Sequence, residues 1–358
     1  MKNPRIVVDR KKLRENISFI VAKLKEHDLT ITAVTKVFNA HSQIIALYEE
    51  FSDIIYFGDS RIENLMSYSH SKKQKILIRI PMISEVPEVI QYADISFNSE
   101  LKTIQLLDCE AQKQKKLHKI VLMVDLGDLR EGFFEKEELF DCIREVMKLK
   151  NIQIYGLAVN LTCYGAIIPS SKNLGNLVAI QEEIKERFDL SLEMISGGNS
   201  SSLYLLDSPE DQLPSGINNL RIGESFVLGR ETAYGADYQV MHQDVFTLVT
   251  EIVEVKQKPS YPIGEIGVDA FGKKPHYVDK GKMLRGIVAI GQQDIALDDI
   301  TPKDSQIEIL GASSDHLLLD LTQSEREYQV GDEIEFSVSY GSVLSTFTSK
   351  YIKKEFIN

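Results

Sequence analysis

The feature that most constrains this chain is an alternation. Through its first two-thirds, short apolar runs that read as buried strands take turns with longer stretches whose apolar residues recur every three or four positions. Residues 11–25 show the helical period in Leu13, Ile17, Ile20, Val21 and Leu24. Strands are expected at 31–36, 54–58, 75–80, 95–97, 119–126, 152–159, 191–196 and 219–228. Helices are expected at 42–51, 61–69, 85–92, 100–114, up to about residue 150, and 174–188. Eight strands separated by helices predict an α/β fold, a (β/α)8 TIM-like barrel over residues 9–236, with a parallel sheet buried on both faces. An open doubly wound sheet is the alternative. The strand count and the absence of a glycine-rich turn after the first strand favour the barrel.

The pattern changes near residue 237. Strand-like runs dominate from there: 245–255, 284–291, 307–310, 317–321 and 333–338, punctuated by Pro259, Pro262 and Gly331. This predicts a C-terminal all-β domain over 237–358, with residues 1–8 pairing into it. A hydrophobic content of 43% is ordinary for a globular protein and sufficient for a substantial core. The net charge of −12, without a basic block, argues against nucleic acid or an anionic membrane as partner. No apolar run approaches a membrane span, and the first ten residues do not read as a signal peptide. Cys109, Cys142 and Cys163 are widely spaced and form no CxxC pair. Neither a disulfide framework nor a zinc site is therefore expected, and a reducing cytoplasm is.

In a barrel, the residues that do chemistry come from the carboxyl ends of several strands. Those ends here carry Lys36, Asp59, Arg130, Asn160, the loop 196–202, and Arg221 with Gly223 and Glu224. An amine held at a strand end can lose its proton and form a Schiff base with a carbonyl cofactor. Most strand-end lysines are solvated edge groups, so Lys36 needs partners to mean more. The Gly-Gly-Asn-Ser-Ser-Ser run at 197–202 offers small residues and free N–H groups, an anion cradle or a plain flexible turn. Barrels often bind phosphate at their last two loops. An amine at one strand end and a phosphate cradle across the barrel together suggest pyridoxal 5'-phosphate.

These residues, and the trailing β module, resemble the alanine racemase fold of pyridoxal-phosphate enzymes, more closely its ornithine racemase branch. The resemblance runs nearly end to end. It is carried by Val34-Thr35-Lys36-Val37-Phe38, Asp59-Ser60-Arg61-Ile62-Glu63-Asn64, Asp125-Leu126-Gly127-Asp128-Leu129-Arg130-Glu131-Gly132, Asn160-Leu161-Thr162-Cys163-Tyr164-Gly165, the stretches 196–206 and 220–229, and Gly311-Ala312-Ser313-Ser314-Asp315-His316. The resemblance implies an amino-acid racemase, an isomerase that removes and returns a Cα proton, acting on ornithine. It implies that Lys36 binds the cofactor covalently and serves as one catalytic base. Ser200 and the amides of Gly223 and Glu224 would hold the phosphate, with Tyr340 as a phosphate-binding tyrosine. Arg221 would face the pyridine nitrogen, with Asn160 supporting it. Arg130 would approach the substrate carboxylate. Ser314 and Asp315 would close the pocket from the partner subunit of a homodimer with shared active sites.

The chain departs from the alanine racemases at three places. Their second base is a tyrosine, where this sequence has Gln292, which cannot act as a base. Asp294 is the first candidate for that role, followed by Cys163 and Asp269, although a structural function would suit each of them. Their modifiable lysine corresponds to Met123, and the tyrosine just past the Schiff-base lysine is missing among Phe38, Asn39, Ala40 and His41. These changes favour a larger or charged substrate, whose distal ammonium Glu265, Asp269 or Asp315 would meet. An alanine or lysine racemase of the same fold remains an alternative. A non-catalytic pyridoxal-phosphate homeostasis protein is another, against which the β module weighs. A metal-dependent dehydratase or aldolase of this fold would need cysteine in the β module, and none lies beyond Cys163.

Overall fold

The computed structural model describes residues 2–269, 271, 272 and 274–358. Two compact units divide the chain: Arg14–His242, and the residues up to Leu13 together with Gln243–Asn358. The first strand, β1 (Arg5–Asp9), belongs to the second of these units.

The unit Arg14–His242 is a closed parallel barrel of β2 (Thr30–Val34), β3 (Ile54–Asp59), β4 (Gln74–Leu77), β5 (Ile95–Asn98), β6 (His118–Val124), β7 (Ile152–Val159), β8 (Met194–Ser196) and β9 (Asn219–Ile222). The expected (β/α)8 architecture is what the sequence folds into. The ring closes where β2 pairs with β9, Thr30 opposite Asn219 and Thr32 opposite Arg221. Side chains fill the interior: Tyr56, Ile76, Ile95, Phe97, Val121, Met123, Tyr155, Ala158 and Met194 form one buried cluster. Such a barrel is a packed core, and its chemistry is left to the carboxyl rim. Met123 lies inside that packing, 1% exposed.

Four strands, β2, β4, β6 and β9, end earlier than their apolar runs suggest, and two of these ends shape the rim. β2 stops at Val34, and Lys36 opens a short 3-10 turn, Lys36–Phe38. The Thr35 amide still bonds Gly58 O at 2.9 Å, but Thr35 O is taken by the Ala40 amide at 3.0 Å, which ends the ladder. Asn39 (φ 48°) and Ala40 (φ 50°) both adopt left-handed backbone there, which non-glycine residues rarely do. β9 stops at Ile222, and the apolar residues beyond it form the helix Glu224–Leu228, burying Phe226, Val227 and Leu228. A short apolar run does not distinguish strand from buried helix by periodicity alone.

The other unit is a mostly antiparallel sheet of β10 (Phe246–Pro259), β11 (Lys282–Val288), β12 (Ile300–Pro302), β13 (Glu308–Ala312), β14 (Leu317–Asp320), β15 (Glu333–Val338) and β16 (Lys353–Ile357). Its order is β12-β15-β10-β11-β14-β13, and β1 pairs antiparallel with β10 and parallel with β16. β15 alternates strictly, with Ile334, Phe336 and Val338 buried and Glu333, Glu335 and Ser337 exposed, as one solvated face requires. The module also carries the helix Tyr340–Thr348, whose buried Val343 and Phe347 lie four residues apart on one face. Phe347 stacks edge-on against Phe246 of β10 at 5.9 Å.

Candidate active site

Lys36 stands at the carboxyl rim of the barrel, half-buried. Among the described residues its amine makes no hydrogen bond and no ion pair. The turn that carries it is anchored from below. The Thr35 hydroxyl donates to Asp59 Oδ2 at 2.5 Å and contacts the Tyr68 hydroxyl at 3.1 Å. Asp59 is completely buried at the end of β3, and its other oxygen accepts from the Arg61 amide at 2.9 Å and from Asn64 Nδ2 at 3.1 Å. Burial pushes the Asp59 carboxyl up, and these donors oppose the shift.

On β9, adjoining β2 in the ring, Arg221 is 4% exposed and fully engaged. Its Nη1 donates to Ser196 Oγ at 2.8 Å, and its Nη2 donates to Val159 O at 2.8 Å and Asn160 Oδ1 at 3.2 Å. Its guanidinium also lies 5.4 Å from the Phe97 ring centroid. Burial lowers the Arg221 pKa to about 10, which still leaves it charged at neutral pH. Asn160 Oδ1 also accepts from Asn199 Nδ2 at 3.3 Å, whereas its own Nδ2 is buried with no partner. Beside these, Ser200 Oγ is buried and accepts from the amides of Ser225 at 3.2 Å and Gly223 at 3.4 Å. Ser200 and Gly223 thus meet. Glu224 opens the helix Glu224–Leu228, and the amide turned toward the serine is that of Ser225.

The loops after β6 and β7 form a second rigid group. Leu129 (φ 55°), Thr162 (φ 63°) and Ala166 (φ 54°) are left-handed, so neither loop is relaxed. Gly132 has φ +126°, and a Cβ there would stand 2.7 Å from the Asp125 amide nitrogen, so only glycine fits. Asp128, 1% exposed, ties the loops together: Oδ2 accepts from the Tyr164 amide at 3.0 Å, Oδ1 from the Ile167 amide at 3.3 Å, and its carbonyl from Gly165 at 3.1 Å. This assembly presents Arg130, Glu131 and Cys163. Glu131 forks the Arg130 guanidinium through Nε and Nη2, and this pairing raises the arginine's pKa. Cys163 is exposed, and its sulfur accepts from Asn199 Nδ2 at 3.6 Å. Asn199 Nδ2 donates both to Cys163 Sγ and to the Asn160 oxygen that also accepts from Arg221, so Cys163 and Arg221 share this part of the rim. Asp128 and Glu131 are site residues that the sequence reading did not single out. Glu131 had a usable signal, a carboxylate next to Arg130. Asp128 had none, because the amides it holds lie 36 and 39 residues away.

In the β module, Gln292 and Gln293 face a turn that holds Ser314, Asp315 and His316. The Gln292 side chain donates to Ala312 O at 2.8 Å, Ser314 Oγ donates to Asp315 Oδ2 at 2.7 Å, and Gln293 Nε2 donates to Asp315 Oδ1. Gly291 permits this contact, since a Cβ there would lie 2.2 Å from Ser314 O. Ser314 and Asp315 are exposed. Asp294 is not with them: it is 5% exposed and accepts from the Ser349 hydroxyl at 2.5 Å. That environment suits a structural carboxylate. Asp269 accepts from the Phe271 amide at 2.9 Å, and Glu265 is exposed. Tyr340 is the first residue of its helix and half-buried. Among the described residues no group of three or more His, Cys, Asp or Glu side chains could hold a metal ion.

A closed barrel whose carboxyl rim gathers an amine, a buried guanidinium and a serine with inward-turned amides, followed in the chain by a β module, is the architecture of the racemase-type barrels. The chain belongs to the alanine racemase family: the family model described as alanine racemase, N-terminal domain, matches residues 8–230. It is 51% identical to the ornithine racemase of Acetoanaerobium sticklandii over 354 residues, 99% of each chain. It is 35% identical to the lysine racemase of Thermotoga maritima over 99% of this chain and 98% of that one. Its fold matches the crystal structure of alanine racemase from Bartonella henselae with covalently bound pyridoxal phosphate, with a TM-score of 0.74 at 17% identity and 100% coverage of both chains.

Proposed function

We propose that this chain is a pyridoxal 5'-phosphate-dependent racemase that interconverts the L and D enantiomers of ornithine. The observation that carries the reading is the combination at one rim of Lys36, just past the end of β2, whose amine has no partner among the described residues, and Arg221 on the adjoining β9, whose guanidinium is fixed by three hydrogen bonds. The substrate follows from the 51% identity with an ornithine racemase over 99% of both chains. Lysine is the second reading, favoured by the 35% identical relative.

The residues fit the cofactor. Lys36 is unengaged, Asn160 Nδ2 is buried without a partner, and Ser200 Oγ gathers two backbone amides. Pyridoxal 5'-phosphate, when bound, withdraws electrons from the Cα–H bond and makes its proton acidic. Lys36 provides the covalent attachment and moves a proton on one face of Cα. Ser200, with the amides of Gly223 and Glu224, would hold the phosphate. Arg221 would face the ring nitrogen, and because a guanidinium keeps its proton it would leave that nitrogen unprotonated, which would favour returning the proton over side reactions. Asn160 and Ser196 hold Arg221 in that direction. Arg130 takes the substrate carboxylate.

Cys163 is the group we assign to the opposite face of Cα. Its exposed thiol accepts from Asn199, whose amide also bonds the Asn160 oxygen that holds Arg221, whereas Asp294 is buried against Ser349. We place the protein in the cytoplasm as a homodimer, the barrel of 9–236 carrying the cofactor and the module of 237–358 lending Ser314 and Asp315 to a shared active site. No described helix is long and apolar enough to cross a membrane. The test is α-proton exchange in deuterated water with L- and D-ornithine. Wild type exchanges both and forms the other enantiomer, Lys36→Ala neither, and Asp294→Asn both. Cys163→Ser loses exchange from one enantiomer only. A loaded wild-type protein that leaves both enantiomers unexchanged sinks the reading.

A further inference from the structure

One feature of the rim goes beyond holding a carboxylate. Arg130 does not wait with an open guanidinium, because Glu131 occupies its Nε and Nη2 edge. The remaining Nη1 makes no hydrogen bond among the described residues and leaves one edge for an incoming carboxylate. The pair is accessible, with 40% of the Arg130 side chain and 18% of the Glu131 side chain exposed. The pair also borders a separate cavity of about 680 Å³ beside the helices Leu101–Gln114 and Lys136–Val146, whose lining includes neither Lys36 nor Arg221.

We propose that Glu131 is a specificity-determining residue whose carboxylate receives the side-chain ammonium of a basic amino-acid substrate while Arg130 takes the α-carboxylate. This rests on the racemase reading above. The argument is one of charge pairing. An amino acid with an uncharged side chain brings its carboxylate to a guanidinium that Glu131 has already neutralised, and it places two carboxylates side by side. A basic amino acid brings its own cation for Glu131, so both members of the pair stay matched.

The test is calorimetric binding of L-ornithine and of L-norvaline, the same chain without the terminal amine, to cofactor-loaded wild type, E131Q and E131D. Wild type binds ornithine more tightly. E131Q loses ~10- to 100-fold of that preference, the range of one charged hydrogen bond. E131D keeps most of it, which shows that charge and not the fold is responsible. An E131Q variant that retains the preference, or that weakens both ligands equally, overturns the proposal, and so does a wild type without preference. α-Proton exchange run on the same samples separates the two readings. Exchange with an unchanged preference in E131Q sinks the Glu131 assignment alone. Selective binding that depends on Glu131 without any exchange in wild type sinks the racemase reading and leaves the recognition role standing.

Discussion

His118 gives the barrel a measurable acid sensitivity. It opens β6, is 3% exposed, and its Nε2 lies 2.8 Å from Ser96 Oγ. Burial lowers its pKa from 6.5 to about 4, so the folded barrel holds it neutral at physiological pH. As pH falls below 6.5 the unfolded chain takes up a proton that the folded chain refuses until about pH 4. The stability is therefore complete above pH 6.5 and drains away between these values, staying constant below them. At ~1.4 kcal/mol per pKa unit, linkage gives a loss of about 2 kcal/mol by pH 5 and about 3 kcal/mol by pH 4. The assay is urea unfolding of wild type and His118→Gln at pH 7, 5 and 4. Other titrating groups act equally in both proteins, so the difference between their pH slopes belongs to His118. His118→Gln should lose ~2 kcal/mol less than wild type between pH 7 and 5. Equal losses within about 0.5 kcal/mol would refute the reasoning.

Two further perturbations probe the rim. Ser200→Ala removes the oxygen that gathers the Gly223 and Ser225 amides, and should weaken retention of pyridoxal 5'-phosphate ~10-fold, measured by equilibrium dialysis; unchanged retention would place the phosphate elsewhere. Asp128→Ala leaves the Tyr164 and Ile167 amides unbonded, so their hydrogen exchange should rise ~10- to 100-fold while that of the β7 strand stays unchanged, a uniform rise instead pointing to global destabilisation.

The sequence by itself determined the architecture and which candidate positions fall at the strand ends. Helical and strand periods are local, so eight apolar runs between amphipathic stretches specify a barrel, and a barrel puts strand ends together. That is why Lys36, Asn160, Ser200 and Arg221 could be named before their surroundings were known. The local pattern was least informative where a short apolar run had two outcomes, as at Phe226, Val227 and Leu228, which are helical here. Only the tertiary structure decided what each charged group meets. On paper Asp294 ranks ahead of Cys163 as the second base, but in the fold Asp294 is buried against Ser349 and Cys163 is exposed with its sulfur accepting from Asn199. Asp128 acquired its purpose from amides 36 and 39 residues away, and Asp59 from a threonine 24 residues before it, just past the end of the neighbouring strand. The physical reason is that burial and pairing depend on which groups approach through space, and no local period carries that information.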